Sequence, residues 1–115
     1  MLNSLVNYIK ANGGATYNLN SNNYMASGFM CAKAENEAVI DGQVNVAHLE
    51  QYITKYGKDL QEPNANLGAW YNTEDGKTYL DTSYRFETLE EAVEFGRKNN
   101  QLAIFNLNTY EEYRL

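Results

Sequence analysis

A chain of 115 residues with 43 % hydrophobic side chains has the length of one domain and enough apolar material for a core. Fifteen acidic against nine basic residues leave a net charge of -6, which argues against direct binding to nucleic acid or to an anionic membrane, since both call for a basic face. The lone cysteine, Cys31, forms no intrachain disulfide, and no signal-peptide pattern opens the chain, so the expected setting is reducing and cytoplasmic.

In chain order, Leu2, Leu5, Val6 and Ile9 fall at helical spacing, with Asn3 or Ser4 as the cap and Gly13-Gly14 as the stop. Residues 15–19 and 28–34 read as strands, and the polar stretch Asn20 to Asn23 between them predicts a hairpin that pairs the two. Tyr24 and Met25 fall at the start of the return strand, as a bulge or an exposed tip. Ala38 to Ile40, before Asp41-Gly42, form a further short strand candidate. Asn45 caps a second helix carrying Val46, Leu49, Ile53 and Tyr56 on one stripe, with Gly57 as its end. The stretch from Lys58 to Asn66 holds the sole proline, Pro63, and reads as a surface loop.

The strongest local signals follow. Aromatic and β-branched residues alternate with polar ones over 67–72 and 77–86, and Asp75-Gly76 between them predicts a tight hairpin turn. In the second strand Leu80, Thr82, Tyr84 and Phe86 share one face, while Tyr79, Asp81, Ser83 and Arg85 share the other. Thr88-Leu-Glu-Glu91 opens a helix over Leu89 to Lys98 as a capping box, and Asn99-Asn100 closes it. Its acids gather at the start and its bases at the end, as the helix dipole favours. Gly96 costs such a helix about 1 kcal/mol relative to alanine, so it implies close packing. The apolar run from Gln101 to Leu107 predicts a strand inside the sheet, and Thr109 to Glu112 repeats the capping-box pattern as a last helical turn. Together these elements predict an α+β fold: a mainly antiparallel sheet of about five strands with two to three helices packed on one face.

Little in the chain points to catalysis. His48 lies in the first turn of the second helix, where a surface or half-buried role is the ordinary one. Cys31 alternates with Phe29 and Lys33 along a strand and reads as packing rather than as a thiolate. One His and one Cys do not make a zinc site, and Asn12-Gly-Gly14 lacks the strand-before-helix context of a phosphate loop. Neither a catalytic centre nor a metal or cofactor is expected. Asp81 reads as a solvated strand residue if its face is open; on a covered face it would take a donor such as Arg85.

Two features bear on binding. Glu87, Glu90, Glu91 and Glu94 are spaced to line one side of a helix, with carboxylates about 5 Å apart along it. Such a row suits a basic protein surface, although a solvated outer face whose acids suit the helix dipole is the ordinary reading of it. Ten tyrosines supply flat amphipathic side chains of the kind used at protein contacts, Tyr110 and Tyr113 near the end of the chain among them.

At Asn12-Gly-Gly-Ala-Thr16, Leu67-Gly-Ala-Trp70, Thr78-Tyr-Leu-Asp81 and Asn100-Gln-Leu-Ala-Ile-Phe105, the chain resembles small proteins of bacteriophages and mobile elements. These stretches define a fold and carry no catalytic signature. The resemblance implies a non-enzymatic inhibitor of the anti-CRISPR or antirestriction type, acting in the host cytoplasm on a nucleic-acid-targeting defence complex. The partner would be a protein with a basic surface, met by Glu87, Glu90, Glu91, Glu94, Tyr110 and Tyr113. The alternative is a self-associating module that uses exposed tyrosines or an open sheet edge to form a homodimer.

Overall fold

The computed structural model describes residues 2–101 and 103–115. Over these the chain runs α1 (Leu2–Asn12), β1 (Gly14–Asn18), β2 (Asn23–Tyr24), β3 (Phe29–Ala32), β4 (Ala38–Asp41), α2 (Val46–Leu60), β5 (Ala65–Asn72), β6 (Lys77–Phe86), α3 (Leu89–Lys98), β7 (Ala103–Asn106) and β8 (Glu112–Arg114). The α+β class is as predicted, but the sheet has eight strands rather than about five. The extra ones are short pieces, too brief to show an alternating pattern of their own. No helix among the described residues is long and apolar enough to cross a membrane.

β6 is the axis of the sheet. It pairs with β5 along Lys77 to Tyr84, and its other edge is shared by β4 at one end and β3 at the other. The spatial order is β2-β1-β5-β6-β3-β7-β8, antiparallel at every pairing, with β4 beside β6. The β5–β6 turn forms as the sequence predicts: Gly76 takes φ +70° and the Lys77 N–H donates to Asp75 Oδ1 at 2.9 Å.

All three helices pack on one side of this sheet. Leu5, Val6 and Ile9 of α1 and Leu49 and Tyr52 of α2 bury against Tyr17, Leu67, Ala69 and Leu80. Ala92 of α3 buries against Cys31 and Ile104. The register places Cys31 opposite Tyr84, which shares its β6 face with Leu80, so the two clusters are two halves of one interface. Gly96 sits where α3 meets this layer: a Cβ there would collide with the Leu115 side chain and press on Cys31 Sγ and Ile104 Cδ1 at 3.4 Å. Close packing is therefore its reason.

Several boundaries depart from expectation. α1 begins at Leu2, ahead of Asn3 and Ser4, so neither is its cap. α2 does not stop at Gly57; it bends at Tyr56 (φ -114°) and continues to Leu60, whose side chain is almost fully buried. The predicted pairing of residues 15–19 with 28–34 does not form. Asn18 does turn the chain, its Oδ1 accepting the N–H groups of Asn20 and Ser21, but the return segment pairs with β1 only at Asn23 and Tyr24. The chain then leaves, and β1 takes β5 as its long partner while β3 joins β6 and β7. After β7, Tyr110 adopts φ +63° in a turn and Glu112–Arg114 is a strand, not a helical turn. Of the apolar run read into β7, Leu102 lies outside the described residues.

Candidate functional site

The face of the sheet away from the helices is hollow, and side-chain size explains why. By register, Gly14 and Thr16 of β1, Gly68 of β5, Ser83 of β6, Ala32 of β3 and Ala103 of β7 all point to it. Small residues at alternate positions on successive strands put little side-chain bulk on that face, and the strand twist curves it into a trough. The hollow has a volume of about 1100 Å³, at or just above the upper end of the ~300–1,000 Å³ usual for small-ligand pockets. Its walls are aromatic. Trp70, 56 % exposed, leans on Tyr79 with ring centroids 5.8 Å apart, and Phe105 and Tyr110 pair at 5.9 Å on the opposite rim.

A strap limits the trough at one end. Residues 25–28 run from the β1 edge to β3 and so pass across β5 and β6. They are tied at both ends: the Met25 N–H donates to the Thr16 carbonyl at 2.7 Å, and Arg85 Nε donates to the Ser27 carbonyl at 2.7 Å. Arg85 is thus engaged in holding the strap and, through Nη1, an ion pair with Glu87.

Asp81 stands on the floor and is not the solvated strand residue that the sequence predicted. Its carboxylate lies over Gly68, where any Cβ would collide with it. Ser83, rather than Arg85, supplies the donor: Oγ donates to Oδ1 at 2.6 Å. Burial pushes the Asp81 carboxyl above the usual carboxylate range, and the neighbouring charge of Glu37 pushes it further, while the Ser83 hydrogen bond works against both. Glu37, directly before β4, also lines the trough. Ion pairs among the described residues join Lys33 to Asp59, Arg85 to Glu87 and Arg114 to Glu112, and none reaches Asp81 or Glu37.

The residues first considered for catalysis have structural duties. His48 Nδ1 accepts the Asn45 N–H at 3.1 Å while Asn45 Oδ1 accepts the His48 N–H at 3.0 Å, so the imidazole completes a capping box at the start of α2. Cys31 is fully buried, and burial pushes its thiol up to about 11, far from the thiolate that nucleophilic attack requires. Among the described residues no group of three or more His, Cys, Asp or Glu side chains is placed to hold a metal ion.

The residues predicted to bind a partner do not form one patch. Glu90 and Glu94 are exposed on α3, on the helix side of the sheet. Glu91 accepts the Thr88 hydroxyl at 3.0 Å and its N–H donates to Thr88 Oγ1 at 3.2 Å, which caps α3. Glu87, just before the helix, is paired with Arg85 at 2.6 Å. Tyr113 is half-buried under α3, 6.5 Å from the Phe29 ring, whereas Tyr110, 76 % exposed, stands on the trough rim of the other face. The wall and floor residues Trp70, Phe105, Gly68 and Ala103 were not picked out from the sequence. The available signal was small residues on one face of the long strands, and it becomes a site only once the strand order is known.

No family model matches the chain, and neither the curated proteins nor the solved structures compared with it give a match. The class that fold and geometry define is an α+β protein whose sheet, among the described residues, carries its helices on one face and a trough on the other.

Proposed function

We propose that this is a non-enzymatic binding protein of the phage anti-defence kind, which holds a basic protein partner in the trough. The observation that carries this reading is the aromatic-walled hollow with two carboxylates, Asp81 and Glu37, that take no cation from the described residues. A groove of this size accepts several residues of a partner, and exposed Trp and Tyr side chains at its walls are the residue types that dominate contact energies. The net charge of -6, with Glu90 and Glu94 on the far side, would draw a basic partner in at long range without touching it. An imidazole committed to a helix cap and a buried thiol fit binding rather than bond-making.

Titration into purified CRISPR effector and restriction complexes, read as loss of target cleavage, tests the proposal. Inhibition is expected, and Trp70→Ala should weaken it by about 30-fold, the scale of a lost aromatic hot spot, with the melting temperature unchanged because the side chain is mostly exposed. Full cleavage at saturating protein would overturn the reading. One observation favours a second reading: among the described residues β4 pairs only with β6, and Val39 on it is 50 % exposed. That edge would serve strand addition to a second copy, and a strict monomer by sedimentation at high concentration would dismiss it.

A further inference from the structure

We propose that the trough is a receptor for an arginine side chain presented on an extended peptide segment, with the guanidinium received between Asp81 and Glu37. The inference rests on the trough being the binding site, and adds the chemistry of what enters it. Three observations converge. First, Asp81 Oδ1 is held by Ser83 at 2.6 Å, while Oδ2 takes no hydrogen bond from the described residues. No unpartnered polar side-chain atom among them is fully enclosed, so Oδ2 opens toward the trough. Second, Glu37 falls next to Asp81 across the β4–β6 ladder, as Ala38 opposite Leu80 requires. The fold thus sets two like charges side by side and neutralises neither from within the described residues. Third, Trp70 stands on the diagonal from Asp81, because Gly68 is the residue opposite Asp81 and Trp70 is two positions along the same face.

Each part matches a feature of arginine. Its planar fork of donors suits two carboxylates approached from one side, and its face stacks on an indole. Lysine offers only a point charge and no plane to stack, and a neutral side chain would leave the two carboxylates facing each other.

The test uses a short fluorescein-labelled alanine–serine peptide with one central arginine, beside versions carrying lysine or the neutral isostere citrulline, read by anisotropy with the full chain. The arginine peptide should bind at least about tenfold more tightly than the citrulline peptide, as expected for hydrogen bonds to charged groups, with lysine between them. Asp81→Asn, which keeps an acceptor for Ser83, should bring arginine down to the citrulline level and leave citrulline unchanged. Glu37→Gln, at an exposed position, should give a smaller loss and guards against a folding artefact. Affinity for the arginine peptide should also fall with acid, as Asp81 takes up its proton, while the citrulline peptide stays level. Equal affinities for arginine and citrulline, no binding by any peptide, or an Asp81→Asn variant that still discriminates would overturn the proposal. If arginine discrimination fails while Trp70→Ala still weakens inhibition of a defence complex, the trough reading survives alone. If discrimination holds and no defence complex is inhibited, the receptor stands and the anti-defence role falls.

Discussion

Leu80→Ala is expected to cost about 3–5 kcal/mol of stability, a large share of the ~5–15 kcal/mol that holds a typical domain together. Leu80 is 0 % exposed at the middle of β6, on the face that carries the helices, and belongs to the cluster formed by α1, α2 and the sheet. Its cross-strand neighbours are Ala38 and Ala69, whose methyl groups cannot swing into the space, so the cavity would stay. That places the substitution in the upper half of the range for leucine truncations, where cost grows with residual cavity volume. Urea unfolding should show a lower midpoint with an unchanged slope, because shortening one buried side chain barely alters the surface exposed on unfolding. A loss under about 1 kcal/mol would mean that this layer is not the centre of the fold.

The parts of this architecture legible in the sequence are those where local and tertiary preferences agree. The β5–β6 hairpin was readable because period-two alternation over 67–72 and 77–86 meets a turn dipeptide with φ +70° at Gly76, and the start of α3 because Thr88 caps the N–H of Glu91. The failures share a cause. Nothing in residues 14–18 says which strand will lie beside them, and β1 pairs with Leu67 to Trp70, some fifty residues away in the chain. The α2 boundary failed because a glycine costs only about 1 kcal/mol in a helix, less than burying Leu60 returns. At residues 109–112 the capping pattern lacked a following apolar face, so the same letters turned the chain and began a strand.

The trough was hidden for a related reason. Asp81 and Gly68 are opposed only through the register of β5 on β6, and Ala32 and Ala103 join them only because β3 lies between β6 and β7. A glycine or alanine on one face of one strand is unremarkable; four strands contributing such residues to the same face make a surface with no core of its own. The acidic row on α3 was visible because a helix is read from a single segment.

Asn36→Ala is expected to cost about 2–3 kcal/mol near neutral pH and much less in acid, and the pH dependence is the more telling half. Asn36 is buried between β3 and β4, where its Nδ2 donates to Asp59 Oδ2 at 2.8 Å and to Thr82 Oγ1 at 3.2 Å. Its own carbonyl accepts the Tyr52 hydroxyl at 2.8 Å. The alanine variant keeps that backbone bond and loses both side-chain ones, the first to an ionised group and so worth about 1.5–3 kcal/mol. Asp59 retains Lys33 at 3.1 Å and is partly exposed, so the loss should not exceed that range. The Asn36 amide first, and the Lys33 ammonium second, hold the Asp59 carboxyl below the usual carboxylate range. A carboxyl depressed on folding adds stability above its unfolded pKa, about 3.9, and loses it as pH falls through the lower folded value. The gap between wild type and Asn36→Ala should therefore be full from about pH 5 upward and narrow below about pH 4, as Asp59 is protonated in both. Urea midpoints for the two proteins across that span measure it directly. A gap that stays constant into acid would show that Asn36 acts through packing and Thr82, with Asp59 a bystander.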